Sequence, residues 1–153
     1  MGLNLSFDFY GDSQLNRTLA RVTEDVSDLT DAWEEMADSL LAAEQKQFSS
    51  EGSYASGGWS PLSPKYAAWK ARHYPGQPIL VATGALSASL TQRPFGVESI
   101  EPHSMAIGSD NEVGGYHQNG TDKMPQRRVV ELTGPTRAEW VKIAQRHVFR
   151  SIG

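Results

Sequence analysis

The sequence predicts an α+β fold: one long N-terminal helix, a small mostly antiparallel sheet, short middle helices and a C-terminal helix packed on the sheet. Three observations predict it. Apolar residues recur every three or four positions from Leu15 to Leu40, which is helical spacing. Short apolar runs with strand-like alternation lie at 3–9 and 97–108. An amphipathic pattern covers 136–150. At 153 residues, the chain has the size of a single domain with its own core.

The N-terminal residues predict a strand over 1–10, because Leu3, Leu5, Phe7 and Phe9 alternate with more polar residues. The spacing changes after Gly11, and no Gly or Pro interrupts residues 12–51. We therefore expect one helix over 12–49, roughly 50 Å long. Its apolar seam follows a heptad pattern of Leu15, Leu19, Val22, Val26, Leu29, Trp33, Met36 and Leu40.

This predicted helix has two interpretations. It either covers the domain's own sheet or packs against a neighbouring subunit. It is the strongest candidate for an oligomer contact, and the residues that would make it are Leu29, Trp33, Met36 and Leu40.

The middle of the chain is rich in Gly, Pro and aromatic residues. Residues 49–58 predict an exposed, mobile loop, and Trp59 would anchor its end on the core. Pro64 suits the first position of a short helix over 65–72. A second short helix is expected over 79–90, where leucines recur and Gly84 allows close packing.

The C-terminal half predicts a β-hairpin over 97–108, a turn over 109–115 and another strand over 129–132. A closing helix is expected over 136–150. Its core face would carry Trp140, Ile143, Ala144 and Val148.

Charge is distributed unevenly along the chain. The net charge is −4, but residues 1–51 carry −8 and residues 52–153 carry +4. One interpretation is a solvated acidic helix beside an ordinary domain. The other is attraction between opposite faces in a head-to-tail ring. Neither half is basic enough to predict DNA binding as the main activity.

No pattern of catalytic or ligand-binding residues stands out. The four histidines lie in separate predicted elements without metal-ligand spacing, and there is no cysteine. Thr83-Gly84 lacks the spacing and the Lys of a phosphate loop. The sequence therefore predicts no catalytic residue, no cofactor, no metal and no membrane span. A small hydrolase remains an alternative, in which Glu51 or Glu98 would be the acid and His117 the residue to follow.

Several short motifs follow one another in a definite order from Trp59 onward. They include Trp59-Ser60-Pro61-Leu62-Ser63, a short helix with Trp69-Lys70, and a run over 79–90 with the form I-L-x-x-T-G-x-L-x-x-S-L. This order resembles the phage virion morphogenesis (tail completion) family of tailed bacteriophages. The residues that match the family-type motifs are Trp59, Pro61, Leu62, Lys70, Thr83, Gly84, Leu86, His117, Gly120 and Pro125.

Two places depart from the family pattern. The Tyr and His of a "YA-x-x-H" element are adjacent here, as Tyr116-His117, and Val129-Val130 replaces the usual Phe-Leu. Arg127 and Arg128 stand at the family's "P-x-R" position. Each would pair with a carboxylate across an interface, or would bridge to the chain's own acidic helix. Trp59, Arg127 and Arg128 complete the set of interface candidates.

The resemblance implies a single domain, with residues 50–153 as the family-like core. It further implies a structural virion protein that completes the tail and joins it to the head at the neck. Its partners would be other copies of itself, in a ring of six around the DNA channel, and neighbouring neck and tail proteins. It would lie close to DNA without binding it specifically, in the virion and, during assembly, in the host cytoplasm. A tail terminator that caps the tail tube is the alternative within the same class.

Overall fold

The computed structural model describes residues 13–150, with the side chains of the first helix described only in part. These residues form seven helices and one two-stranded antiparallel sheet, which confirms the α+β class. The elements are α1 (Ser13–Asp25), α2 (Thr30–Ser49), α3 (Ser53–Ser56), α4 (Pro64–His73), α5 (Ala85–Thr91), β1 (Val97–Glu101), β2 (Ser104–Gly108), α6 (Glu112–Asn119) and α7 (Gly134–Val148). The strand predicted over 1–10 lies outside the described residues.

The prediction of one helix over 12–49 is wrong, because residues 26–29 are not helical and separate α1 from α2. Asp28 Oδ1 accepts from the Thr30 backbone N–H at 2.9 Å, and a side chain that satisfies a free amide in this way starts a new helix. The Leu29 N–H donates to the Pro102 carbonyl at 2.9 Å, so the break is also held by the hairpin. A heptad pattern indicates which side chains are buried, and the same pattern can extend over two successive helices.

Helix α2 lies at the centre of the fold and contributes to two core clusters. Near its start, Ala32 and Met36 pack with Ile143 of α7. At its end, Phe48 packs with Trp59 at a ring-centroid distance of 5.3 Å. Leu86, Leu90 and Val129 complete this second cluster.

Helix α7 was predicted to pack on the sheet, but it packs mainly along α2. Met105 of β2 contributes to the same cluster as Ile143. The predicted core face of α7 is otherwise correct, since Ile143 is buried and Trp140 and Ala144 are packed beside it. A sheet of two five-residue strands is too small to cover a fifteen-residue helix.

The hairpin over 97–108 is confirmed, with Val97 paired to Gly108 and Glu101 to Ser104. Arg93 ties it to α2. Its guanidinium pairs with Glu34 at 2.7 Å, with Asp38 at 2.9 Å, and with Glu98 of β1.

The segments between the larger elements differ more from the predictions. Residues 49–58 contain α3, which Gln47 holds by accepting from the Ala55 N–H at 3.0 Å and donating to Ser56 Oγ at 2.7 Å. The helix predicted over 65–72 is confirmed as α4, capped by Ser63. The helix predicted over 79–90 begins only at Ala85, because Leu80 and Gly84 adopt left-handed conformations, with φ of 63° and 86°.

The predicted turn over 109–115 is wrong in its second part, where α6 begins under a cap from Asn111. The predicted strand over 129–132 is also wrong. The hydrogen-bond partner of this segment is the side chain of Gln118. The Gln118 amide accepts from the N–H groups of Val129 (2.8 Å) and Val130 (3.0 Å) and donates to the Val130 carbonyl (2.9 Å). One glutamine therefore replaces a neighbouring strand.

Candidate interaction site

A cavity of about 510 Å³ opens between α4, α6 and the loops over 79–82 and 123–127. A volume of this size is typical of sites that receive a small ligand or a few side chains. Its walls are mostly apolar, and the polar groups that line it are few. The lining residues are Leu62, Ser63, Tyr66, Lys70, Leu80, Val81, Ala82, Val113, Tyr116, His117, Lys123, Met124, Pro125 and Arg127.

Lys70 is the first of two buried cations at this cavity, with 5% of the residue exposed. Its ammonium donates to the Pro78 carbonyl. Burial lowers the pKa of Lys70, and the negative charge of Glu51 partly opposes this. The Glu51 carboxylate itself accepts from the Ile79 N–H at 2.8 Å, so it also holds the loop that forms one wall.

Arg127 is the second buried cation. Its Nε donates to the Ser60 carbonyl at 2.7 Å, and its Nη2 donates to the Pro61 carbonyl at 3.0 Å. Its backbone N–H donates to the His117 carbonyl at 2.8 Å. Burial lowers the pKa of Arg127. One residue thus joins the Trp-Ser-Pro-Leu segment, α6 and the loop over 123–127 into a single wall.

His117 lies half-buried between these groups. Burial lowers its pKa, and the positive charge of Arg127 lowers it further. Its Nδ1 has no hydrogen-bond partner among the described residues. No carboxylate is among the residues that line the cavity over 13–150, so His117 has no acid to orient it as a general base.

The rim of the cavity continues into exposed aromatic side chains. Tyr66 is 44% exposed and stacks on Trp69, with centroids 5.5 Å apart; Trp69 stacks in turn on His73 at 4.4 Å. On the other side of the opening, Tyr116 and Val113 are 53% and 49% exposed. Large exposed apolar side chains grouped in this way are typical of a protein contact surface. We call Tyr66, Trp69, His73, Val113 and Tyr116 the aromatic rim.

The family-type residues gather around this cavity. Leu62, Lys70, His117 and Pro125 line it. Trp59 and Leu86 are buried in the core cluster at the end of α2, and Trp59 Nε1 donates to the Arg128 carbonyl at 2.8 Å. The remaining four shape the backbone around the cavity.

Pro61 supplies the carbonyl that accepts from Arg127, and Thr83 Oγ1 accepts from the Ala85 N–H at 3.3 Å. Gly84 lies at the start of α5 with a φ of 86°. Gly120 has a φ of 72°, and a Cβ there would lie 3.0 Å from the Gln126 nitrogen, so a larger residue would push the loop over 123–127 away.

The interface candidates lie in different environments. Met36, Leu40, Trp59 and Arg127 are buried within the chain. Leu29 and Trp33 are partly buried against the cluster of Ile143. Arg128 is exposed and pairs with Glu131 at 3.0 Å. Neither arginine reaches the acidic helix. The carboxylates of α1 and α2 pair instead with cations that the sequence analysis passed over, namely Arg93, Arg146, His147 and Arg150.

The sequence analysis named Lys70 and Arg127, but it passed over Lys123 and the grouping of side chains that forms the aromatic rim. A usable signal was present for part of it, because Tyr66, Trp69 and His73 have the i, i+3, i+7 spacing of one helix face. Over residues 13–150, no group of three or more His, Asp or Glu residues is placed to hold a metal ion. Within the same range, no helix has both the length and the apolar character that crossing a membrane requires.

Comparison with protein families gives a match to the model of the phage virion morphogenesis family over residues 11–149. Comparison with curated proteins and with solved structures gives no match. The family match includes every element that builds the cavity and the aromatic rim.

Proposed function

Because the chain belongs to the phage virion morphogenesis family, we propose that it acts in tail completion and head–tail joining at the neck. In this proposal, six copies form a ring around the DNA channel and contact neighbouring neck and tail proteins. The protein acts by assembly rather than by turnover. It is found in the host cytoplasm until it is built into the virion.

The observation that carries the proposal is the position of the family-type residues. Four of the ten, namely Leu62, Lys70, His117 and Pro125, line one cavity, and the aromatic rim beside it is exposed. Tyr and Trp are enriched in the energetically important parts of protein interfaces. A contact surface explains this arrangement better than an active site, because His117 has no acidic partner at the cavity.

Burial also supports a particular position for the proposed ring contact. Met36 and Leu40 of α2 are 5% and 6% exposed, so they have little surface left for a neighbour. The aromatic rim has that surface. We therefore propose the rim, in place of the seam of α2, as the main contact with other virion proteins.

Light scattering on the purified protein, with and without isolated tails of the phage that encodes it, tests this proposal. We expect the wild type to form a ring and to bind tails. The variant Tyr66→Ser/Trp69→Ser should fold normally and lose tail binding, because both side chains are exposed. Val141→Ser, at an equally exposed apolar position on α7, is the matched control and should bind as the wild type does.

A wild-type monomer that does not bind tails would contradict the proposal, as would a rim variant that binds tails normally. Electron microscopy of particles made without the chain separates the two roles in the tail. Tails of normal length that fail to join heads support the neck role. Tubes of uncontrolled length would support a tail terminator that caps the tube.

A further inference from the structure

Four of the eleven carboxylates in residues 1–51 form ion pairs with cations of the same molecule, and three of these four lie on α2. Glu34 and Asp38 pair with Arg93. Glu35 pairs with Arg146 and with His147, and Asp25 pairs with Arg150 at 3.0 Å. These ion pairs join the acidic helices to the basic half of their own chain. The acidic face of α2 is therefore a poor source of attraction toward another subunit.

The cavity has the opposite character. Lys70, Lys123 and Arg127 line it, and no Asp or Glu does among the residues over 13–150. Its other walls are apolar. A complementary occupant therefore combines apolar side chains with carboxylates and carries no positive charge near them.

The start of the chain has this composition. Leu3, Leu5, Phe7 and Phe9 alternate with polar residues, and the first basic residue is Arg17. The carboxylates of this segment are Asp8 and Asp12. In an extended chain they fall on the face opposite the four apolar residues, because side chains alternate between two faces.

We propose that the cavity is the docking site for residues 3–12 of a second copy of this chain. The apolar face of that segment fills the cavity, and Asp8 and Asp12 on its other face meet Lys123, the exposed cation of the lining. The contact joins different surfaces of the two copies, which is the type of interface that closes a ring. This inference rests on the proposed function, since it names the contact between successive subunits of the ring.

A second copy fits better than the same chain because of where α1 leaves the fold. α1 is connected to the start of α2, whereas the cavity adjoins the cluster at the end of α2, where Phe48 packs on Trp59. A helix of 20 residues such as α2 is about 30 Å long. Residues 3–12 reach their own cavity only if α1 runs back along α2, whereas a neighbouring subunit requires no such path, and the cross-linking below separates the two.

Disulfide cross-linking tests the contact, and the chain is suited to it because it has no cysteine. Chains carrying Phe9→Cys are mixed with chains carrying Ala82→Cys, at the cavity wall. We expect a disulfide between the two kinds of chain, identified by mass spectrometry. Chains carrying Ala138→Cys, on the exposed face of α7, are the matched control and should not cross-link to Phe9→Cys.

Native mass provides the second measurement. Phe7→Ser/Phe9→Ser should reduce the ring to the 16.8 kDa monomer, while Asn4→Ala/Ser6→Ala on the other face should keep the ring mass. The inference is overturned if the double Ser variant keeps the ring, or if a monomeric chain carrying both Phe9→Cys and Ala82→Cys cross-links to itself. Where the wild type assembles only on tails, both measurements are made on tails.

The two proposals fail in different ways. A wild-type ring that binds tails but gives no disulfide between Phe9→Cys and Ala82→Cys chains overturns this inference and leaves the proposed function intact. A wild-type chain that neither forms a ring nor binds tails removes both.

Discussion

The two ends of α2 differ in whether their carboxyl groups have a cation as partner. At the first end, Glu34 is paired with Arg93 of the same chain at 2.7 Å. Ten residues later, Glu44 is 1% exposed, and its Oε2 has no hydrogen-bond partner among the described residues. Burial without a cation raises the pKa of Glu44 to about 8. The first end therefore has cations as partners of its carboxylates, and the second end favours a protonated carboxyl.

The same contrast extends beyond the helix. The first end of α2 meets α7 and the hairpin through ion pairs that satisfy both partners. The second end adjoins a cavity that has buried cations and no carboxylate in its lining. Ion pairs within the chain hold the first end to its neighbours, whereas Lys70 and Arg127 at the cavity are bonded to backbone carbonyls and have no carboxylate beside them in the lining. This difference supports the proposal that the assembly surface lies at the cavity end.

The largest effect is expected at Trp59, which supports the cavity end from within the core. Trp59→Ala should lower the free energy of unfolding by about 3–5 kcal/mol. It removes the packing against Phe48 and the bond to the Arg128 carbonyl. Urea denaturation measures the change. Trp69→Ala, on the exposed rim, is the matched control and should cost less than about 1 kcal/mol. Equal losses of unfolding free energy in the two variants would contradict the difference in burial between Trp59 and Trp69.

The sequence predicted the parts of this fold that local patterns specify. Ser63-Pro64 predicted the start of α4, and the hairpin over 97–108 follows from short alternating runs with Pro102 between them. The break between α1 and α2 was missed, although Ser27-Asp28 is itself a capping signal. The heptad pattern continues across the break, with Val22 and Val26 partly buried at its first side and Trp33 and Met36 packed on the cluster of Ile143 after it.

What the sequence could not predict depends on distant partners. The backbone N–H groups of Val129 and Val130 donate to the side chain of Gln118 and not to a neighbouring strand. No pattern in the local sequence predicts this hydrogen bonding. The same holds for the cavity. The family resemblance identified Lys70, His117 and Pro125 as motif residues, but their convergence requires the packing of α4, α6 and two loops. Charge totals were misleading, because they do not record which ion pairs form within the chain.

An intermediate effect is expected from Glu44→Gln at alkaline pH. The folded-state pKa of about 8 lies above the ordinary value of 4.5, so the folded protein keeps a proton that the unfolded chain loses between these values. The free energy of unfolding should therefore fall as pH rises from 4.5 to 8 and level off above 8. Gln cannot ionise, so at pH 8 the variant should be more stable than the wild type by roughly 4 kcal/mol.

Urea denaturation at several pH values measures this, and the variant is its own control near pH 4.5. At that pH, Glu44 is neutral in the folded protein, so the two proteins should have similar stability. Parallel curves for the two proteins across the whole range would show that Glu44 does not hold its proton. The contrast with Glu34 would then fail.

The smallest effect is expected from Arg93→Met, which removes the ion pairs at the first end of α2. Arg93 lowers the pKa of Glu98, and its side chain is 24% exposed. Partly buried pairs of this kind are intermediate between surface and buried ones, so we expect a loss of about 1–2 kcal/mol at pH 7. Arg128→Met removes the exposed pair with Glu131 and should change stability by no more than about 0.5 kcal/mol. If both variants lose the same amount, Arg93 does not tie the hairpin to α2. If Arg93→Met alone is destabilised and its ring mass is unchanged, the two ends of α2 have separate tasks, the first in folding and the second in assembly.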